Sequence, residues 1–451
     1  MTHIATKLTP SRIAGEADNP SLDLRGNMLA FGGDSMLWGI GTYFIPLTTV
    51  ITALASKLTQ DKALIGMLSL AWYVAYLLPQ LVAARLVHGK RRTKPYTIIP
   101  SIIGRPVILL FAAWLFFTHA SQPTLTVWLL IGMITTLMVF DAFASQGWFD
   151  MMGRALSPRA RARMITVSSL LAAVCGLGVG LVVERVLSSD QLPFPTNYAL
   201  LFFLAWLFIT LSLVSMMYIK ERVGEAGRVA DSAAAPQAFG TTLRLAWRTD
   251  PAFRRMLLAR VLTGVENMAA AFYVVFARER LGLPDSAIGV FTIAYIVGGL
   301  VGVTVFGWLS GRFGPRRVIN AASILQAIAP LIALLVATSL LTGLAALGPL
   351  TTVALVLVMG INGAVNRSTQ VGFFSYAQDS APEADRPVYV GAVSTIGGTA
   401  SLLPLAGGAM IDLLTHAGLV ALAYPSLFCI AAIAATIGMW ISFGLPQPKH
   451  T

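Results

Sequence analysis

The chain has 451 residues, 56% of them hydrophobic and only 12% charged, with a net charge of +12 and a mean hydropathy of +0.74. Soluble globular domains carry about 25% charged residues, so this composition excludes a soluble fold and points to a chain threaded repeatedly through a bilayer. The 2 cysteines lie in apolar runs and the 5 histidines near segment ends or termini, which leaves no disulfide framework, no metal-ligand spacing and no histidine relay at mid-membrane.

Residues 1–25 are polar, with Pro10 and Pro20, and lack the early apolar run of a cleavable signal peptide. Twelve apolar segments follow, at 26–56, 63–87, 96–118, 124–147, 164–186, 198–219, 252–277, 286–309, 317–341, 347–372, 388–414 and 418–443. A spanning helix needs about 20 residues, and strand alternation is absent, so helices are expected throughout.

The first segment carries Asp34, with Ser35, Trp38 and Thr42 on nearby faces. The second ends in Pro79-Gln80-Leu81, and a basic loop follows, Arg85-Leu-Val-His-Gly89-Lys90-Arg91-Arg92-Thr-Lys94. The third holds Gly104-Arg105-Pro106; Arg105 could bind an anion or pair with an acid on a neighbouring helix, and pairing is the favoured expectation. Asp141, Ser145 and Gln146 mark the fourth, which leads into Asp150-Met-Met-Gly-Arg154 and Pro158 with its arginines. Gly176, Gly178 and Gly180 suit the fifth to close helix contact, and the sixth has no charge. Residues 220–250, with Asp231-Ser-Ala-Ala-Ala-Pro236, are expected to link two six-helix bundles at 1–219 and 251–451, with a short amphipathic helix from Phe239 to Trp247 on the membrane surface.

The seventh segment contains Arg260-Val-Leu-Thr-Gly-Val-Glu266-Asn267. At about 100° per residue, Arg260, Thr263, Glu266 and Asn267 fall within roughly 120° of arc. A charge at mid-membrane costs about 2.5–17 kcal/mol, so this face must look into protein or a water-filled cavity. It serves either a structural ion pair between helices or a substrate or proton site. The eighth segment runs into Gly307-Trp-Leu309-Ser-Gly311-Arg312-Phe-Gly314-Pro315-Arg316-Arg317. The tenth holds Asn362, Asn366, Arg367, Thr369 and Gln370, and the twelfth is free of charge.

The two halves share words in order. Gly32-Gly33-Asp34-Ser35-Met36 matches Gly264-Val265-Glu266-Asn267-Met268, and Asp61 to Gly66 matches Asp285 to Gly289. Ser145-Gln146 matches Thr369-Gln370, and Gly180-x-x-x-Glu184 matches Gly408-x-x-x-Asp412. The offsets stay between 223 and 232 residues. An ordered series of this kind indicates a duplicated unit.

The loop from Gly307 to Arg317 resembles the signature of the major facilitator superfamily, Gly-x-Leu-x-Asp-Arg-x-Gly-Arg-Arg, between the second and third helix of a six-helix half. Gly307, Leu309, Arg312, Gly314, Arg316 and Arg317 match, while Gly311 replaces the acid and Pro315 the first basic residue. The first half keeps Arg85, Gly89 and the basic run with Arg91. The stretch after Asp150 resembles the family's Pro-Glu-x-x-Arg loop. The resemblance implies an all-α membrane protein of twelve transmembrane helices in two pseudo-symmetric bundles, whose first, fourth, seventh and tenth helices line a central cavity. Sorted by segment alone, the costly polar groups pick the same four helices, with Arg105 as the exception. The fifth segment lacks the Gly-Pro pair that drug–proton antiporters of the superfamily often carry.

Placing the N-terminus inside puts 24 Lys and Arg in cytoplasmic segments and 5 in outer loops (Lys57, Lys62, Arg185, Arg278 and Arg280). This asymmetry predicts both termini in the cytoplasm of a multi-pass protein of the inner (plasma) membrane, and it assigns the positive charge to lipid headgroups rather than to nucleic acid. No phosphate-binding Gly-x-x-x-x-Gly-Lys-Ser/Thr loop and no nucleophile motif is present, so neither ATP-driven transport nor an enzyme is expected, and no cofactor.

The expected function is secondary active transport of a small organic solute, coupled to protons, by a monomer. The direction is open, with export considered. Asp34, Gln146, Arg260, Glu266, Asn267, Asn362, Asn366 and Gln370 are expected at the substrate or proton site, and Arg105, Asp141 and Arg367 in gating or ion pairs. Glu266 is favoured over Asp34 as the coupling carboxylate, with Asn267 as its hydrogen-bond partner. One alternative is an organic-anion carrier using Arg105, Arg260 and Arg367. Another is a membrane sensor or partner-binding protein without turnover.

Overall fold

The computed structural model describes residues 24–87, 90–221, 236–342, 348–381 and 386–447; within these, the side chains of 81, 158, 162, 236–242, 348–349, 367–371, 386–387, 396 and 401 are not described. Apolar helices account for almost all of it, and there is no strand among the described residues. The elements are α1 (Leu24–Leu58), α2 (Lys62–Val87), α3 (Lys94–Thr118), α4 (Pro123–Ala155), α5 (Pro158–Leu187) and α6 (Thr196–Met217). After α7 (Pro236–Thr249) come α8 (Pro251–Leu281), α9 (Ser286–Phe313), α10 (Pro315–Leu341), α11 (Gly348–Ser380), α12 (Val388–His416) and α13 (Ala423–Phe443).

Eleven of these are long and apolar enough to cross a membrane, and α11 contributes a shorter apolar stretch, Leu350–Asn366, within its 33 residues. The twelve-helix expectation is met by these elements together. Leu78, Phe117, Leu335 and Trp440 are highly exposed, as lipid-facing side chains must be.

The two halves repeat one packing scheme. In the first, α1 packs on α5 and α6, α2 on α4, and α3 on α4 and α6. In the second, α8 packs on α12 and α13, α9 on α11, and α10 on α11 and α13. Two seams join the halves, α2 against α12 and α5 against α9. Small residues allow this approach. A Cβ on Gly66 would stand 2.2 Å from the Pro404 carbonyl oxygen, on Gly408 2.0 Å from that of Lys62, on Gly180 2.3 Å from Ile293 and on Gly289 2.3 Å from the Glu184 side chain. These four glycines are two repeat-matched pairs, so the duplication in sequence is a duplication of seams.

The polar bridges between halves gather at one end. Lys62 lies 2.6 Å from Glu279, which also accepts from the Tyr424 hydroxyl at 2.7 Å. Lys57 pairs with Asp285, which sits 3.3 Å from Arg278, and Arg278 donates to the Ala53 carbonyl at 3.0 Å and to Ser56. Asp412 accepts the Lys62 and Ala63 N–H groups at 3.0 and 2.8 Å, capping the first turn of α2 from the other half. At the opposite end, where α1 begins and α13 finishes, the hydrogen bonds among the described residues stay within each half. Thr93 and Lys94 bind Glu221, Arg154 meets Asp150 at 2.8 Å, Tyr389 donates to Asp250 at 2.6 Å, and Arg316 donates to the Phe443 carbonyl at 3.0 Å. The halves are clasped at one face and separable at the other.

Candidate functional site

Glu266 lies where α8 is interrupted. The helix runs regularly over Pro251–Gly264, turns at Val265 and Glu266, resumes over Asn267–Ala270 and restarts at Tyr273. No proline causes this. Instead, Val265 and Glu266 donate their N–H groups three residues back, to Leu262 and Thr263, in a tightened turn. Asn267 donates its side-chain amide to the Gly264 carbonyl at 3.0 Å, and Gln326 of α10 reaches the Thr263 carbonyl at 3.3 Å. The Asn267 amide takes the Gly264 carbonyl and the Gln326 amide adds a second donor to the Thr263 carbonyl, so side chains brace the interrupted turn.

The Glu266 carboxylate is 5% exposed. One oxygen accepts from the Tyr273 hydroxyl at 3.2 Å and from the Asn362 amide of α11 at 3.1 Å. No cation pairs with it among the described residues. Its hydrogen-bond partners are thus Tyr273 and Asn362, whereas Asn267, expected from sequence in that role, is engaged by its own helix. One turn along α11 toward the open end, the exposed Asn366 donates to the Tyr295 hydroxyl of α9. Tyr73 of α2, facing from the other half, is 42% exposed. Asn366 and Tyr73 thus leave exposed side-chain surface on the two halves at this depth, between the clasped ends and the open ones.

Arg260 is six residues before Glu266, about 9 Å along the helix. Its guanidinium lies over the Phe373 ring at 5.4 Å and beside Gly397 of α12, where a Cβ would come within 3.0 Å of it. Its Nε is buried and makes no hydrogen bond.

In the first half, Asp34 is 6% exposed and Arg105 comes to 4.0 Å from it. Arg105 also donates to the Ile209 carbonyl of α6 at 2.5 Å and lies over Trp38 at 5.5 Å. The Arg105–Pro106 joint is where α3 divides into two helical pieces, because proline cannot continue the hydrogen-bond ladder. Asp141 is half-buried in α4 and has no ion-pair partner among the described residues. Gln146 is half-buried on the same helix. No hydrogen bond or ion pair joins Asp34 to Glu266.

Of the remaining sequence expectations, the Arg367 and Gln370 side chains and Gly89 lie outside the described residues, so the Asp141–Arg367 pairing does too. In the loops, Arg85, Arg91 and Arg317 are exposed. Arg154 donates to the Lys90 and Arg91 carbonyls at 3.2 Å. Arg312 folds over Trp308 and Phe313, and Gly314, which ends α9 after Gly307 in its last turns, has the positive φ of 78° that suits glycine. Tyr273, Gln326, Tyr295 and Tyr73 were not singled out from sequence. Gln326 carried a usable signal, an amide deep in an apolar segment; the tyrosines carried none, since tyrosine is common in such segments. An apolar groove of about 290 Å³ between α3 and α6, lined by Leu109, Phe116, Leu200 and Phe203 among others, lies away from all these groups.

The family model described as Major Facilitator Superfamily matches residues 27–403 and 256–451. No curated protein matches the sequence. Among solved structures, the D-xylose–proton symporter is similar at TM-score 0.67 and 14% identity, covering 95% of this chain and 99% of its own. A point mutant of the nucleoside transporter NupG gives 0.66 and 13%, covering 95% and 100%. A bacterial homolog of the human lysosomal transporter Spinster, in an inward-facing and unoccupied conformation, gives 0.65 and 14%, covering 96% and 100%.

Proposed function

The chain belongs to the major facilitator superfamily, whose members are transporters rather than enzymes, and from that premise we propose that it moves a small organic solute by alternating access, coupled to protons through Glu266. The observation that carries this reading is a buried carboxylate with two neutral donors and no cation among the described residues, placed at a helix interruption. A carboxylate stripped of water holds a proton more readily than one in solution, and Tyr273 and Asn362 can serve the charged acid as donors and the neutral acid as its remaining partners. Transporters bind near the midplane, at helices whose backbone is interrupted.

The two bundles, 1–219 and 251–451, are the moving bodies, and residues 220–250 tether them. The open end is cytoplasmic, which follows from the basic residues gathered there; the clasped end is then outer and the conformation inward-facing. The protein acts as a monomer in the cytoplasmic membrane, with lipid headgroups around its basic rim. Asp34, held by Arg105, is the structural member of the acid pair. Asn366, Asn267 and Gln146 supply polar contacts along the cavity.

The test is transport of the identified solute in proteoliposomes under an imposed pH gradient. Glu266→Gln is expected to bind solute and exchange it across the membrane, while net accumulation no longer follows the gradient. Full gradient-driven accumulation by Glu266→Gln refutes coupling at this residue.

A further inference from the structure

We propose that Arg260 is the anchor for an anionic group on the transported solute, an organic carboxylate or phosphate with an aromatic or apolar body. This deepens the transporter reading and rests on it.

The argument begins with the three arginines inside the spans. Arg105 is engaged by Asp34 and by the Ile209 carbonyl. The Arg367 side chain lies outside the described residues. Arg260 forms no ion pair with any described carboxylate, and its buried Nε makes no hydrogen bond. Glu266, the nearest acid on its own helix, is committed to Tyr273 and Asn362. A buried acid without a partner can become neutral by taking up a proton. An arginine has no such exit, because its guanidinium stays protonated at any physiological pH. A cation left uncompensated at membrane depth is costly, and the missing counter-charge must enter with water or with a ligand.

The surroundings fit a ligand. The Phe373 face and the bare backbone at Gly397 flank the guanidinium without competing for its donors, and a Cβ at Gly397 would press on it from 3.0 Å. Guanidinium presents a planar fork that matches carboxylate or phosphate oxygens in pairs. Toward mid-depth lie the Asn366–Tyr295 pair and the exposed Tyr73 ring, an amide and aromatic faces for the rest of the solute. Entry of a monoanion at Arg260 together with one proton at Glu266 adds no net charge to the site, which suits a bilayer interior.

The experiment measures equilibrium binding to the purified full chain in neutral detergent, by thermal stabilisation. The probes are benzoate, phenyl phosphate, benzamide and benzylamine, with phosphatidylglycerol as a separate arm. Benzoate or phenyl phosphate is expected to stabilise the protein, and benzamide and benzylamine not. Arg260→Gln should weaken that binding by roughly 10- to 100-fold, the worth of a charged hydrogen-bond pair, and Arg260→Lys should fall between. Should Arg260→Gln not fold, Gly397→Val, which crowds the guanidinium without touching its charge, is expected to weaken binding in the same order of probes. The assignment is overturned if neither anion stabilises the parent, if benzamide does so equally, if phosphatidylglycerol alone does, or if the Arg260 variants bind the anions as the parent does. No gradient is present in this assay, so its failure leaves coupling at Glu266 untouched, and failure of coupling leaves anion binding untouched.

Discussion

In the first half of the molecule a membrane acid, Asp34, lies 4.0 Å from a guanidinium that α3 carries in beside Trp38 and the Ile209 carbonyl. In the second half the repeat-matched acid, Glu266, meets only a phenol and an amide, and the arginine of its own helix stands a turn and a half away over an aromatic ring. The same words, duplicated, have come to hold charge in two ways. Where opposite charges are joined, neither can change without leaving the other stranded. Where they are held apart, each remains free to meet something from outside. In the proposed mechanism the first half's acid is structural and the second half's is the one that exchanges.

The largest effect should come from breaking the joined pair. Removing one partner of a buried ion pair typically costs about 3–5 kcal/mol because the other charge is left unpaired. Arg105→Leu should therefore lower stability by about that much in denaturant or thermal unfolding, and adding Asp34→Asn should return a large part of it. If Arg105→Leu unfolds with the parent, the pair carries no structural load. Glu266→Gln, by contrast, replaces an acid that has no cation to strand, and its stability should stay within about 1 kcal/mol of the parent, since the two donors keep an oxygen to meet.

Next in size are the seams. Gly408 and Gly289 lie one on each seam against the opposite half, with Lys62 and Glu184 in the way of any Cβ. Alanine at either should cost about 1–3 kcal/mol by overpacking, and equal losses at both would show that the two seams share their load. A loss at one only would show that the clasped end is held by a single seam.

The spans, their number and the crowding of polar groups on α1, α4, α8 and α11 were legible, because hydropathy over twenty residues and the cost of a charge in lipid are local properties of the chain. The Asp34–Arg105 contact was half legible: each charge needed a partner, and Arg105 was the polar group out of pattern. The interruption of α8 was not, since Gly264 and Asn267 are compatible with a continuous helix and the carbonyl that Gln326 takes is set by packing. Tyr273 as a partner of Glu266 was hidden for the same reason, because seven residues puts it on the same face of a continuous helix but about 10 Å further along, and only the broken turns bring the two within reach. The clasp was invisible, for Lys57, Lys62, Glu279, Asp285 and Asp412 read singly as charges at segment ends, and only the fold sets them opposite one another.

That clasp gives the smallest and most localised expectation. The repeat pairs Asp412 with Glu184, yet only Asp412 caps a helix across the seam, taking the Lys62 and Ala63 N–H groups of α2. At the matching place, the Asp285 side chain at the start of α9 is turned to Lys57 and Arg278 instead. A capping carboxylate replaced by alanine costs about 1 kcal/mol. In the alternating access proposed above, that cost falls on the clasped conformer alone, because the two halves part at this end when the other closes. About 1 kcal/mol shifts a two-state balance roughly fivefold. Thr292 of α9, fully buried at the boundary between the halves, where it meets Thr49 of α1 at 3.0 Å, reports on it. In a background with Cys175 and Cys429 replaced by serine, a cysteine at Thr292 should react with a membrane-impermeant maleimide about five times faster when Asp412→Ala is added, and only from outside the cell. Reaction at an unchanged rate would mean that the ion pairs of Lys57 and Lys62 hold the end closed without the cap, and reaction from the cytoplasmic side would invert the orientation drawn from the basic residues.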